Sequence, residues 1–305
     1  MNKATTPLIL FLFLFLLLSV SAFTQQVADT LYNPIISNPA YANAQGPVVL
    51  IDEAHGNFHT LSGRFKPFAR LLEKDGYVVR ASAEPFTKDQ LRAGEILVIA
   101  NALHPDNLQR WTLPTPSAFT ETEINVVNEW VSEGGCLFLI ADHMPFPGAA
   151  EALAASFGFK FYNGFAMRKG GGKDIFSIGE GLIESVITNG RDKKEAVTSL
   201  QSFAGQAFEI PNGAHPIITL NSTYRMLMPQ TAWEFTKDTP ATSAENLVQG
   251  AYVNYGKGRV VVFGEAAMFT AQLQGKSKVG MNVKSAAQNF QLLLNVVHWL
   301  DGILD

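Results

Sequence analysis

Four apolar runs in this chain end in a polar side chain: Leu50-Ile51-Asp52, Ile99-Ala100-Asn101, Ile140-Ala141-Asp142 and Phe263-Gly264-Glu265. More such groups follow within a few residues: Glu53, His55, Asn57 and His59 after the first run, His104 beyond Asn101, and His143 directly after Asp142. An imidazole titrates near neutral pH, and a carboxylate beside it fixes its orientation, so Asp52 with His55 or Asp142 with His143 suits general acid-base work. Glu265 is the natural orienter. Glu53, Asn57, His59, Asn101 and His104 are placed to hold a small polar ligand. The plainer role of any one Asp or Asn at a strand end is to cap a turn by accepting nearby backbone N–H groups.

A metal is an open alternative, because Asp52, His55, His59, Asp142 and His143 are all chemically competent ligands. Against it, Gly56 and Asn57 disfavour the helix that would put His55 and His59 on one face, and the spacing is not His-Glu-x-x-His. No metal or other cofactor is specified. Nucleophiles are scarce. The single cysteine, Cys136, opens the run that Asp142 closes, roughly 20 Å away at about 3.3 Å per residue, and no Gly-x-Ser-x-Gly elbow occurs. Thr60 and Ser62 read as helix-entry residues.

These groups work together only if the runs are neighbouring strands. Short apolar runs alternate with amphipathic stretches: Val48 to Ile51, a helix from about Arg64 to Lys74, Tyr77 to Arg80, and Ile96 to Ala100. That alternation predicts an α/β fold, a three-layer sandwich with a mainly parallel sheet. Thr120 and Glu123 form a capping-box pattern before Ile124, Val127, Trp130 and Val131, and Gly134 ends the helix. The run Cys136 to Ala141 is apolar throughout, as a strand buried on both faces should be. A helix around Ala149 to Phe157 follows. Residues 159–245, with Gly170 to Gly172 and several prolines, break the pattern and are expected to form an inserted lobe or lid. Regularity returns with a hairpin, Val248 to Tyr255 and Arg259 to Phe263, and a closing helix carrying Phe290, Leu293, Leu294, Val297 and Leu300. In parallel sheets, ligands bind outside the carboxyl ends of the strands, where the four runs terminate.

The chain has 305 residues, 16% charged, against roughly 25% in typical soluble domains, which points to a large buried core. Residues 1–22, with Lys3, the apolar run Leu8 to Leu18 and small residues up to Ala22, have the three-part layout of a secretory signal peptide. The run is shorter than the roughly 20 residues of a spanning helix, so a secreted or periplasmic location without a stable membrane span is expected. Residues 23–46 read as an extended lead-in and residues 47–305 as the α/β domain. The formal charge of −4 disfavours nucleic acid as a partner. A small-molecule or glycan ligand is the expectation, with Phe146, Phe165, Trp111 and Trp233 available for a sugar-binding rim.

The segments IDEAHGNFHT, EWVSEGGCLFLIADHMPFPGA, YGKGRVVVFGEAAMF and QNFQLLLNVVHWL resemble a branch of the class I glutamine amidotransferase-like superfamily, and more distantly trehalose-utilisation-type proteins. The resemblance covers roughly residues 47–158 and 248–301 and implies a flavodoxin-like fold. Amidotransferases place a cysteine after a central strand and a His-x-Glu later; here the first position reads Asp142-His143-Met144, and Glu265 stands without that histidine. The sequence therefore favours an exported hydrolase-like protein using Asp/His acid-base or metal-assisted chemistry on a small polar or carbohydrate-type substrate. The alternative is a non-catalytic glycan or small-ligand binding module of the cell envelope.

Overall fold

The computed structural model describes residues 26–305; the signal peptide expected at residues 1–22 lies outside them. In chain order the elements begin with β1 (Gln26–Ala28), β2 (Val48–Asp52), α1 (Lys66–Lys74), β3 (Val78–Ser82), α2 (Lys88–Leu91), β4 (Ile96–Ala100), α3 (Glu121–Glu133), β5 (Cys136–Ile140) and α4 (Phe146–Ser156). The middle of the chain supplies β6 (Phe165–Arg168), β7 (Asp174–Ile178), β8 (Gly181–Leu182), α5 (Val186–Asn189), β9 (Ser199–Ser202), β10 (His215–Thr219), β11 (Tyr224–Leu227) and β12 (Ala241–Ser243). The last part contributes β13 (Val248–Tyr255), β14 (Gly258–Phe263), β15 (Ala271–Gln274), β16 (Ser277–Gly280) and α6 (Asn289–Leu300).

The main sheet has ten strands in the order β3-β2-β4-β5-β14-β13-β10-β8-β7-β9. Its first five strands pair in parallel. Counted among themselves they run 2-1-3-4-5, the flavodoxin-like order. β13 turns back antiparallel on β14 as the hairpin pattern anticipates. Residues 159–245, expected as an inserted lobe, carry this sheet onward through β7 to β10 and form a separate three-stranded sheet, β12-β11-β6. Strand order there depends on pairing between remote segments, which leaves little local signal.

Alternation along β5 shows the three layers. Cys136, Phe138 and Ile140 pack with Phe68 and Leu72 of α1 and Leu293 and Val297 of α6. Leu137, Leu139 and Ala141 pack with Val127 and Val131 of α3 and Leu153 of α4. Every residue of β5 is buried, which is why its sequence is apolar without a polar phase. The capping box forms: Thr120 accepts from the Glu123 N–H, Glu123 accepts from the Thr120 N–H, and Gly134 closes α3 at φ 128°.

The lead-in is more structured than its composition suggests. β1 pairs antiparallel with β15, Gln26 opposite Gln274, a contact between remote parts of the chain that is invisible in local periodicity. Further on, Asp75, at the end of α1, binds the lead-in to the last helix. Its Oδ1 accepts from the Ala40 N–H at 2.8 Å and its Oδ2 from His298 Nε2 at 2.6 Å, with Asp75 and His298 both fully buried. Among the described residues no helix is long and apolar enough to cross a membrane.

Removing one member of a buried, hydrogen-bonded pair strands its partner and costs about 3 kcal/mol. Asp75→Ala is therefore expected to lower the unfolding free energy by about 3 kcal/mol, read as a lower urea midpoint, and an unchanged midpoint would show that Asp75 does not hold the lead-in and α6 together.

Candidate functional site

Strands β2, β4, β5 and β14 lie side by side, so Asp52, Asn101, Asp142 and Glu265 emerge along one edge of the sheet. The structure then divides the expected site residues into two groups. At the β2 end, Asp52 and His55 are buried in a closed chain of charge. His55 Nδ1 lies 2.8 and 3.0 Å from the two oxygens of Asp52, and its Nε2 lies 2.9 Å from Glu123 Oε1. Both partners only accept, so both ring nitrogens carry hydrogen and the ring is an imidazolium.

The remaining lone pairs of this group are also occupied. Asn57 Nδ2 and the Ala54 N–H donate to Asp52, and the Thr120 N–H, the Thr120 hydroxyl and the Phe86 N–H donate to Glu123. Phe86 and Phe119 cover the ring, with centroids 4.4 and 4.7 Å away. Burial by itself would lower the His55 pKa, but Asp52 and Glu123 outweigh it and hold it above the ordinary value. Burial would likewise raise Glu123, yet the hydrogen bonds from His55 and Thr120 bring it down to about 2. With no free nitrogen, His55 is not available for proton transfer to a ligand; the Asp52-His55 pair expected as an acid-base couple braces the loop after β2. Glu123 is the member that sequence reasoning missed. Its capping role was legible, but its second oxygen reaches His55 only because α3 packs beside the β2 loop.

Glu53 accepts the Leu61 N–H at 2.6 Å, and His104 Nδ1 accepts the Asp106 N–H at 3.2 Å; both fasten loops and neither lines the cavity at the ends of β4, β5 and β14.

The second group surrounds a cavity of about 600 Å³ at the ends of β4, β5 and β14, lined among others by His59, Arg64, Asn101, Asp142, His143 and Glu265. Asn101 adopts the left-handed region at φ 53°, which Asn tolerates better than most residues, and its Oδ1 accepts the Asp142 N–H at 2.9 Å. Asp142 Oδ1 accepts the His143 N–H at 2.7 Å, and the two oxygens of Glu265 accept the N–H groups of Ala267 and Met268, each at 2.7 Å. Burial and then the negative charge of Asp142 hold the Glu265 carboxyl well above the carboxylate range. Asp142 is also raised, by burial, against the opposing pull of His143 and the backbone donors. The pair therefore keeps a proton under conditions where isolated carboxyls lose theirs.

His143 Nδ1 lies 2.7 Å from the Met144 carbonyl oxygen, so Nδ1 carries the hydrogen and Nε2 is the ring nitrogen left for a ligand. Phe165 stacks on this ring at 4.5 Å, and Trp233 meets it edge-on at 4.7 Å. Trp233 is half-exposed at the cavity and sits at φ 69°, a conformation that bulky residues rarely adopt and that the surrounding packing must impose. Trp111 and Phe146 line the cavity too, whereas Phe165 backs His143 from behind it. Gly205 is required nearby, since a Cβ there would overlap the Gly264 carbonyl oxygen and press on Glu265.

His59 is fully buried and stacked on Phe65 at 4.8 Å; burial and then the Arg64 charge push its pKa down to about 3. Among the described residues no group of three or more His, Cys, Asp or Glu side chains converges as metal ligands would. Cys136 is buried at the opposite end of β5, where its thiol donates to the Leu300 carbonyl at 2.8 Å, and burial raises it to about 11.

No protein-family model matches the chain, and no curated protein matches it. Among solved structures it is similar to the mmIFT52 N-terminal domain, with TM-score 0.60 and 15% identity over 83% of this chain and 97% of that one. A ThuA-like protein from Bacteroides uniformis gives TM-score 0.49 and 14% identity, covering 88% of this chain and 94% of that one. A cytoplasmic protein from Salmonella typhimurium gives 0.48 and 13%, covering 83% and 98%. The first likeness shows the fold alone, and the other two are too distant to carry an argument.

Two outcomes follow from the charge chemistry. The His55 contribution to stability is complete below its ordinary pKa of 6.5 and is lost as pH rises through the raised value. That of Glu123 is complete above 4.5 and is lost as pH falls towards about 2. His55→Leu should therefore cost most, about 3 kcal/mol, between pH 4.5 and 6.5, with the deficit shrinking on both sides; urea melts across pH that show a constant deficit would contradict the imidazolium bridge. Separately, Asp142→Asn removes the charge that adds to burial in raising Glu265, so the Glu265 midpoint in a carboxyl 13C NMR titration should fall. A midpoint that stays put would mean the two carboxyls do not interact.

Proposed function

We propose that this is an exported hydrolase-like protein that binds a small polar or carbohydrate-type substrate in the cavity and acts on it through Asp142, Glu265 and His143. The observation that carries the reading is the pair of buried, mutually repelling carboxyls opening on a cavity walled by Trp111 and Trp233. Carboxyls whose pKa values are driven apart by their surroundings are suited to divide acid and base roles. Glu265, the stronger proton holder, would protonate a leaving oxygen while Asp142 takes a proton from the attacking water; exchange with solvent then restores both. His143 Nε2 would accept a hydrogen bond from a substrate hydroxyl. Aromatic side chains at the rim present apolar faces to sugar rings.

Thiol chemistry has no place in this proposal, because Cys136 is buried at the far end of its strand with an elevated pKa. Descent from the class I glutamine amidotransferase-like superfamily, suggested by the four quoted segments, is likewise part of the proposal, with the thiol site replaced by Asp142-His143. A second reading, a non-catalytic glycan or small-ligand binding module of the cell envelope, is favoured by one feature. Both Glu265 oxygens already hold backbone N–H groups and the residue is fully buried, which also describes a structural cap.

A panel of nitrophenyl glycosides and esters, assayed with wild type, Asp142→Asn and Glu265→Gln, separates the two. Loss of an acid-base group is expected to lower kcat/KM about 10²–10⁴-fold in each variant. Turnover that survives both substitutions would remove these residues from the chemistry, whereas sugar-induced thermal stabilisation with no turnover would establish the binding module.

A further inference from the structure

We propose that the cavity is selective for a ligand bearing a carboxylate, an acidic sugar of the uronate class, whose anion docks on Arg64; this rests on the carbohydrate-type reading above and narrows it. Arg64 is the one Lys or Arg among the residues lining the cavity. Its guanidinium lies 3.9 Å above the Phe58 ring and Nη1 donates to the Phe58 carbonyl at 3.2 Å, which fixes its position. It makes no ion pair among the described residues, although it is partly buried, and its Nε has no hydrogen-bond partner. A partly buried guanidinium that lines a cavity without a counter-ion has its charge unmatched, and an external anion supplies the match.

The neighbours of Arg64 are incompletely satisfied as well. Seven buried side-chain nitrogen or oxygen atoms among the described residues lack a partner, and three of them, His59 Nδ1, Arg64 Nε and Gln272 Oε1, belong to residues lining this cavity. Folded chains leave few such atoms; these three are out of reach of solvent, so they show that this wall is incompletely satisfied within the chain, and the ligand contact itself rests on the unpaired guanidinium head of Arg64. The charge balance selects the anion. One cation shares the cavity with Asp142 and Glu265, so a singly charged carboxylate is matched by the Arg64 fork, whereas a doubly charged phosphate would be left in excess beside two carboxyls. The remainder of the ligand must then offer hydroxyls to Asn101, Asp142 and His143. The volume of about 600 Å³ falls within the range of small-ligand pockets.

Calorimetric titration of the full protein with glucuronate, galacturonate and mannuronate, beside glucose, galactose, mannose and inorganic phosphate, tests this. At least one uronate should bind about tenfold or more tightly than its neutral parent, and the ratio should shrink as salt is added. Arg64→Gln should bring the ratio close to one, while Arg64→Lys, which keeps the charge and guards against a folding defect, should retain part of it. Equal binding of uronate and parent, a ratio unaffected by Arg64→Gln, or tighter binding of phosphate would each overturn the carboxylate subsite while leaving the carbohydrate reading intact. If no sugar binds in either form, both fall.

Discussion

The imidazolium of His55, gripped by Asp52 on one side and Glu123 on the other, is the interaction on which the polar edge of this sheet depends. A parallel sheet delivers all of its strand ends to one side, and in this chain those ends carry carboxyls that the surrounding layers bury. Burying a carboxylate is tolerable when its charge is matched and its lone pairs are filled. At β2 the match is complete: one cation lies between two anions, and amide, hydroxyl and backbone donors occupy the remaining sites. The same contact joins the loop after β2 to the first turn of α3, so a helix cap and a loop brace share one carboxylate.

At β5 and β14 the opposite solution holds. Asp142 and Glu265 have backbone donors but form no ion pair among the described residues, and the pair responds by keeping a proton, Glu265 holding it the more strongly. The contrast accounts for the position of the cavity. In a flavodoxin-like sheet the crevice is expected where strand order reverses, between β2 and β4. Here the satisfied His55 chain and its two phenylalanines fill that place, and the open volume is displaced along the edge to β4, β5 and β14. The walls of that volume come from distant parts of the chain: Gln26 from the first described strand, Trp233 from the loop beyond β11, and Gln272 from β15.

Much of this architecture was readable in the residues. The unbroken apolar run from Cys136 to Ala141 marks a doubly buried strand because a strand covered on both faces has no polar phase to show. Thr120 and Glu123 mark a helix start because the capping box is a local arrangement of three consecutive peptide units. The removal of Cys136 from any chemistry follows from strand geometry alone, since the two ends of a five-residue strand are far apart. The strand-end positions of Asp52, Asn101, Asp142 and Glu265 follow from the same patterns.

What the residues could not disclose was which polar groups neutralise which. Asp52 and Asp142 look alike in sequence, each closing an apolar strand and each followed by a histidine within three residues. Only tertiary packing separates them, by bringing Glu123 against His55 and leaving His143 with a carbonyl at one nitrogen and open space at the other. Arg64, β1 and the run of strands from β7 to β10 were equally hidden, because each acquires its role by meeting a segment far away in the chain. Local propensity is written in neighbouring residues and so was determined by the sequence directly. Charge matching across the sheet edge depends on distances between segments remote along the chain, and the folded structure alone decided it.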